Sequence, residues 1–459
     1  MIRQLRIRNF KGWHDTSQIT MAPLTVFFGT NSSGKSSIGH LLLALKQTVD
    51  NPDRKTVIFP GGSNSPVQFG SLQNLIYHRS IDNNIEFEYF WDLKEQLAIT
   101  DAKNKKEYQC DAIRFSASIG LKDQKMGEVN CFNYELFRRA HLELSVGMSK
   151  SAQKGSYTIN AENYTLIQNT GRPWGIGSPV RFYGFPETVV AYHQNADFVQ
   201  TLNLQHEQLF GSVYYLGPMR NHPLRLYPWP GNEPDSVGFS GENTIHAILA
   251  SQDRTLSMRK NHKYKPFLEV IARQLHEMGL IEQFTVEQIA EGRQSYEVKV
   301  RTKGSDDLVD LPDVGFGVSQ VLPVLVQMFY APANSIIIME QPEIHLHPRA
   351  QAALADVMID AINSREDGKD RGIQLIIETH SEHFLRRLQR RIAEDTITND
   401  QFAAYFADMN SKPTKLDTLH IDKFGNISNW PKDFFGDEMG DIAAHSLAAM
   451  HKRVKENGQ

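Results

Sequence analysis

Residues 22–47, APLTVFFGTNSSGKSSIGHLLLALKQ, pass from an apolar stretch through a Gly/Ser-rich loop into a pattern that sets Ile38, Leu41, Leu42 and Leu45 on one helix face. Within it, Gly29-Thr30-Asn31-Ser32-Ser33-Gly34-Lys35-Ser36 satisfies GxxxxGK[ST]. Strand, loop and helix in that order constrain both fold and chemistry. The loop's backbone N–H groups and the helix N-terminus point at one place and favour negative charge, so Gly29, Asn31, Ser32, Ser33, Gly34 and Ser37 are expected to cradle phosphates. Lys35 is expected to reach the β- and γ-phosphates and Ser36 to hold Mg²⁺. The competing reading is a plain turn with a solvated lysine, which the placement between an apolar strand and an apolar-faced helix disfavours.

The second half of the chain supplies the partners of such a loop. After residue 311, GVSQVLPVLVQMFY reads as a helix, SIIIME as a buried strand, PRAQAALADVMIDAIN as a helix, IQLIIETH as a second buried strand, and SEHFLRRLQRRIAE as a further helix. Continuous apolar strands alternating with helices predict a mostly parallel sheet covered on both faces. Open α/β sheets bind ligands at the carboxyl ends of their strands, which places Glu340, Gln341, Glu343 and His380 at the same edge. Glu340 can organise a magnesium water shell, and His380 can bond a γ-phosphate or the attacking water. His345 and His347 have i,i+2 spacing, but without further ligands nearby they are read as packing and turn residues.

Between these halves the pattern changes. NIEFEYFWDL, AIRFSASIGL, HLELSVGM and GSYTINAENYTLI alternate between apolar and polar residues, with Gly, Asn, Asp and Lys clusters between them, so residues 51–210 are expected to form an inserted antiparallel β-rich lobe. The expected organisation is an N-terminal core piece at 1–50, this lobe, a helical and strand linking segment at 211–310, a C-terminal core piece at 311–400 and a tail domain at 401–459 with a hairpin turning at Gly425 and Asn426. A formal net charge of −4 gives no bulk basic field for nucleic acid. Two cysteines, Cys110 and Cys131, without a CxxC, argue against structural zinc and fit a reducing compartment. With no secretory h-region and no span of roughly 18 apolar residues, a cytoplasmic location and no membrane partner are expected.

The order LRIRNFKG, GTNSSGKSS, VGFGVSQVLP, IIIMEQPEIHLHP and LIIETHSE resembles the ABC-type ATPase heads of the chromosome-maintenance, recombination-repair and OLD (overcoming lysogenization defect) proteins. It is most similar to small bacterial AAA-type ATPases whose C-terminal domain of unknown function carries a pattern matched here by GNISNWPKDFF. The resemblance implies an α/β P-loop head that binds ATP and Mg²⁺. It makes Glu340 the acidic residue of the magnesium shell, His380 the switch histidine and Lys11 a basic residue that approaches the phosphates. It also implies self-association, in which a signature segment touches the partner's γ-phosphate. Gly315 stands where that segment's serine is expected, Gly317 matches its glycine and a serine appears only at Ser319, so contact would run through backbone N–H groups or Ser319. Gln68 and Gln73 are the candidates for a Q-loop glutamine, and Arg220 in GPMR either faces phosphate or braces the lobe.

Gln341 is the departure of most consequence. It follows Glu340, where such heads carry the carboxylate that activates water, and an amide can orient water without accepting its proton. Either Glu343 substitutes as base, or ATP binding mainly holds a closed dimer. The resemblance then implies a slowly hydrolysing sensor or scaffold whose effector, a nuclease or toxin in antiviral defence, is a separate chain, since only residues 381–459 follow His380. The alternative is a repair ATPase that binds DNA through Arg3, Arg6 and Arg8 together with Arg386, Arg387, Arg390 and Arg391.

Overall fold

The computed structural model describes residues 1–101, 104–122, 126–151, 155–171, 175–408, 413–431, 434 and 438–457. Among these, one sheet has six strands in the order Val213–Leu216, Ile336–Glu340, Gln374–Glu378, Leu24–Gly29, Phe402–Asp408 and Lys415–Thr418. The first five run parallel and the last is antiparallel to its neighbour. Their unbroken apolar sequence has a direct cause, because successive side chains point to opposite faces and both faces are covered. Ile337, Met339, Leu375, Ile377, Val26 and Phe28 enter one core with the helices Phe316–Tyr330, Pro348–Ile362 and Glu382–Ala393. Ile336, Ile338, Ile376 and Phe27 enter a second core with the helices Lys35–Asp50 and Phe198–Gly211.

The second core is closed by an antiparallel sheet, and this sheet starts at the N-terminus. Ile2–Phe10 pairs with Ile85–Asp101, and Trp13–Asp15 and Ile19–Thr20 fold back onto its other side. The sheet continues through Lys106–Lys122, Met126–Arg138, His141–Lys150 and Tyr157–Glu162. The expected boundary at residue 50 therefore does not separate the two sheets. Alternation in LRIRNF shows a strand with one buried face and does not show which sheet receives it. Residues 51–210 also include the helices Glu187–Tyr192 and Phe198–Gly211, so the lobe is a sheet with its own helical backing.

The tail is tied to the core by aromatic packing. Phe434 lies 5.6 Å from Phe28 of the loop strand and 4.7 Å from Phe406, between ring centroids, and Trp430 lies 5.1 Å from Phe434. Gly425 and Asn426 do form a turn, closed by Asp422 N–H donating to Asn426 O at 2.9 Å. Lys432, Asp433 and Phe435 of the quoted tail pattern lie outside the described residues.

His206 fastens the helix Phe198–Gly211 to the antiparallel sheet. Its ring is fully buried, with Tyr89 hydroxyl 2.7 Å from Nε2 and Tyr134 hydroxyl 3.1 Å from Nδ1. Tyr134 donates its proton to Tyr183 O, which leaves it to accept from Nδ1–H, so Nε2 accepts from Tyr89. Burial depresses the His206 pKa well below 6.5. The unfolded chain then binds the extra proton below pH 6.5, and this residue's contribution to stability falls as pH is lowered from there. His206→Leu strands the Tyr89 hydroxyl and should cost roughly 1–3 kcal/mol at pH 7.5. In denaturant melts, the gap between variant and natural chain should narrow on acidification from pH 6.5 to 5; a constant gap would contradict the neutral buried ring.

Candidate functional site

The loop strand Leu24–Gly29 ends in a conformation that depends on glycine. Gly29 has φ +143°, and a Cβ there would lie 2.7 Å from Ala407 O and 2.9 Å from Ser33 Oγ. Gly34 has φ +84°, and its would-be Cβ stands 3.2 Å from Trp13 Nε1. Trp13 Nε1–H donates to Gly34 O at 2.9 Å, so the turn Lys11–Gly12–Trp13 clamps the loop from the antiparallel sheet. Lys35 is 4% exposed, and its ammonium donates to Gly29 O at 3.0 Å, Thr30 O at 2.7 Å and Ser33 Oγ at 3.3 Å. Burial lowers its pKa, opposed by Glu378 and Glu343. Asn31 and Ser32 are exposed at the loop's tip, while Ser33 and Ser37 are buried beneath it.

Strand register brings the acidic and histidine segments to this loop. Glu340 pairs with Glu378, and Glu378 pairs with Phe27, so all three strand ends share one edge. One oxygen of Glu340, Oε1, lies 2.9 Å from His40 Nε2 and accepts from the Tyr215 hydroxyl at 2.9 Å. Glu378 is raised by burial, with the Ser36 hydroxyl as the largest opposing influence and the Glu340 charge adding to the rise. Its Oε2 is buried without a hydrogen-bond partner. His380 is lowered by burial and by Lys35, so it stands neutral at pH 7, and hydrogen bonding to the Gly29 backbone works in the other direction.

Gln341 sits at φ +44°, a conformation rare for a residue with a side chain. Its N–H donates to Glu378 O at 2.8 Å, and its carbonyl accepts from Arg220 Nη2 at 3.3 Å. Glu343, the residue that could substitute as base, is enclosed by the fold. It is 7% exposed, its Oε1 accepts from His380 N–H at 2.9 Å, and burial raises its pKa. It braces the histidine turn from below. Arg220 is 8% exposed, sits over the carbonyls of Glu340 and Gln341, and is lowered to about 10 by burial, with Glu343 opposing. In place of either expected role, facing phosphate or bracing the lobe, its hydrogen bonds hold the turn after Glu340.

Other expected residues divide. Lys11 Nζ stands 3.5 Å from His40 Nδ1 and 4.6 Å above the Phe69 ring, on the wall of a 980 Å³ cavity that also meets Ser32, His14, Tyr77 and Arg79. Gly315 caps the helix Phe316–Tyr330 at its exposed end, and a Cβ on Gly317 would meet His345 O at 3.5 Å. Ser319 is 7% exposed and donates to Phe316 O at 3.0 Å within its own helix, which leaves the backbone N–H groups near Gly315 as the outward-facing donors. Gln68 and Gln73 donate to Ser63 O at 3.0 Å and Arg79 O at 3.3 Å, each within its local turn. His347 accepts from Arg349 N–H at 3.3 Å as a helix cap, and His345 lies 6.2 Å from the Phe316 ring.

Sequence reading missed His40, Tyr215, Trp13 and Glu378. His40 is one turn beyond Ser36 on the same helix face, a spacing that could have flagged it. Tyr215 comes from a strand 125 positions before Glu340, and nothing local to either residue signals the pair. Because Glu343 holds backbone and Lys35 lies across the loop, their variants should separate. Glu343→Ala should cost roughly 1–3 kcal/mol of stability and slow turnover while nucleotide affinity stays within about threefold. Lys35→Ala should abolish nucleotide binding in equilibrium dialysis, and equal binding loss in both would contradict this division.

Comparison with known proteins gives the site its context. The family described as AAA ATPase domain matches residues 1–167 and 240–385, and a family described as protein of unknown function (DUF3696) matches residues 397–444. No curated protein matches. Among solved structures, the SMC head domain from Thermotoga maritima is similar at 12% identity and a TM-score of 0.40, covering 92% of this chain and 99% of its own. An SmcHead bound to the C-winged helix domain of ScpA gives 11% identity and a TM-score of 0.44, covering 92% and 98%. A Smc head with an extended coiled coil, bound to the C-terminal domain of ScpA derived from Pyrococcus furiosus, gives 11% and 0.41, covering 92% and 97%. With its family match spanning both halves of the site, this chain belongs to the AAA ATPase domain family.

Proposed function

We propose that this chain is a nucleotide-gated scaffold that binds ATP with Mg²⁺, hydrolyses it slowly and closes as a dimer to hold a separate effector chain. The observation that carries this reading is Gln341, an amide directly after Glu340, together with the sealing of Glu343 against the histidine turn. A water placed near Gln341 can be oriented, but its proton has no acceptor in that side chain, and losing a general base typically costs about 10² to 10⁴-fold in rate. In this reading Lys35 would exchange its loop carbonyls for phosphate oxygens, the loop N–H groups would bind the remaining charge, and neutral His380 would bond the γ-phosphate. The nucleobase has room in the cavity beside Lys11 and Tyr77. Bound magnesium would offset phosphate charge, with Ser36 and Glu340 among the groups that would hold it.

Dimer closure is supported by an apolar fringe beside the signature segment. Met219 is 85% exposed and Phe316 58%, with Leu224 and Leu226 also open to solvent on the segment that contacts Phe316 through His222. Clustered exposed apolar residues of this kind suit a second copy better than water. The effector, and its assignment to a nuclease or toxin in antiviral defence, rest on the family resemblance alone.

We weigh the DNA-binding alternative below this reading, because each arginine named for it has an acidic neighbour. Arg3 pairs with Asp92, Arg6 and Arg8 with Asp15, Arg386 with Glu382, Arg387 and Arg391 with Asp356, and Arg390 with Glu394. Arginines neutralised in this way form solvated charge ladders and make a weak phosphate-binding surface. Single-turnover hydrolysis and light scattering test the main reading. The natural chain should bind ATP, form a persistent dimer and turn over slowly, while Gln341→Glu should hydrolyse about 10²-fold faster and release the dimer sooner. Equal rates in both chains, or no ATP-dependent dimer, would overturn it.

A further inference from the structure

We infer that Glu378 belongs to the magnesium shell of this site, and that its charge makes nucleotide binding by this chain dependent on the metal. The inference rests on the nucleotide reading above and adds a residue and a coupling to it.

Strand order gives the first argument. The strand Gln374–Glu378 lies between the acidic strand Ile336–Glu340 and the loop strand Leu24–Gly29. Neighbouring strands are about 4.8 Å apart, so the end carrying Glu378 is one spacing from the phosphate loop, whereas Glu340 is two spacings away. Expectation from the acidic strand alone puts the metal carboxylate on the farther of the two.

The second argument is the state of each carboxylate. Glu340 is engaged at Oε1 by both His40 and Tyr215, which fix its orientation. Glu378 has an oxygen, Oε2, that is buried and bonded to nothing in the protein. A buried polar atom without a partner in a native fold calls for a reason, and an ion or the water around it is a standard one. The nearby charges agree with a cation. Glu378 takes a hydrogen bond from the Ser36 hydroxyl and lies among the like charge of Glu340, the His40 ring and the Lys35 ammonium, which is itself occupied by the loop carbonyls.

A consequence follows from charge alone. Two carboxylates facing a polyphosphate repel it unless a divalent cation stands between them. Lys11 opposes the charge of Glu340 and Lys35 that of Glu378, but Lys35 is already shared among three loop oxygens, so the carboxylate nearer the loop is the less fully offset. Metal-free nucleotide should therefore be rejected, and the residue that rejects it is the carboxylate nearer the loop.

The test measures affinity for a fluorescent ATP analogue in Mg²⁺ and in EDTA for the natural chain, Glu378→Gln and Glu340→Gln, with melting curves to confirm folding. The natural chain should bind roughly tenfold or more weakly in EDTA, the size of one unit-charge interaction in a partly buried site. Glu378→Gln should shrink that ratio to about threefold or less by gaining affinity in EDTA and losing it in Mg²⁺. If Glu378→Gln keeps the natural ratio while Glu340→Gln shrinks it, the inference is wrong and the nucleotide reading survives. If the natural chain binds equally well in EDTA, the inference fails in the same way; if it binds in neither condition, both fail. Should Glu378→Gln not fold, Glu378→Asp carries the test, since withdrawing the charge by one methylene should weaken only Mg²⁺-dependent binding.

Discussion

The backbone ladder joining Glu340, Glu378 and Phe27 is the constraint from which the rest of the site follows. Parallel pairing sets these strand ends level, and the loop, the acidic turn and the histidine turn then begin from one line. A slip of one residue in the strand Ile336–Glu340 or Gln374–Glu378 would turn Ile337 or Leu375 from one core to the other and carry that strand's end carboxylate to the wrong face. Register is protected because both faces of the sheet are buried, so the same packing that stabilises the fold also aligns the chemistry.

Around that line the protein keeps several charged groups out of water. Lys35, Glu343 and Arg220 are each less than a tenth exposed, and two guanidinium nitrogens of Arg220, Nε and Nη1, are left without a hydrogen-bond partner. Burying charge is costly unless partners are close, and here the partners are largely backbone atoms of the turns themselves. Arg220 holds the carbonyls after the acidic strand, and Glu343 holds the N–H of His380. The two turns are thus fastened through buried ions to each other's surroundings. Positive φ at Lys11, Ser32, Gln341 and His345 adds local strain at the same edge.

The antiparallel sheet and the tail both act on the loop from outside. Trp13 reaches it from the first hairpin and bonds Gly34 O, while Phe434 packs on Phe28 just before Gly29. A signal that shifted either element would arrive at the phosphate loop through one or two contacts. Exposed apolar side chains, Met219, Leu224, Leu226 and Phe316, lie at and before the start of the helix Phe316–Tyr330.

Sequence by itself determined the loop, the buried strands and the edge at which Lys35, Ser36, Glu340 and His380 would meet, because each is signalled by residues adjacent in the chain. It also exposed the amide at Gln341, since that departure is a single letter beside an apolar strand. Tertiary structure decided what depends on distant neighbours. It assigned Ile2–Phe10 to the antiparallel sheet, turned Ser319 into its own helix, sealed Glu343 under His380, paired every arginine proposed for DNA, and set Glu378 beside Ser36. Alternation and motif spacing report which face of an element is buried. They carry no information on which partner buries it, and that partner determines whether a carboxylate is braced, paired or left with an oxygen to offer.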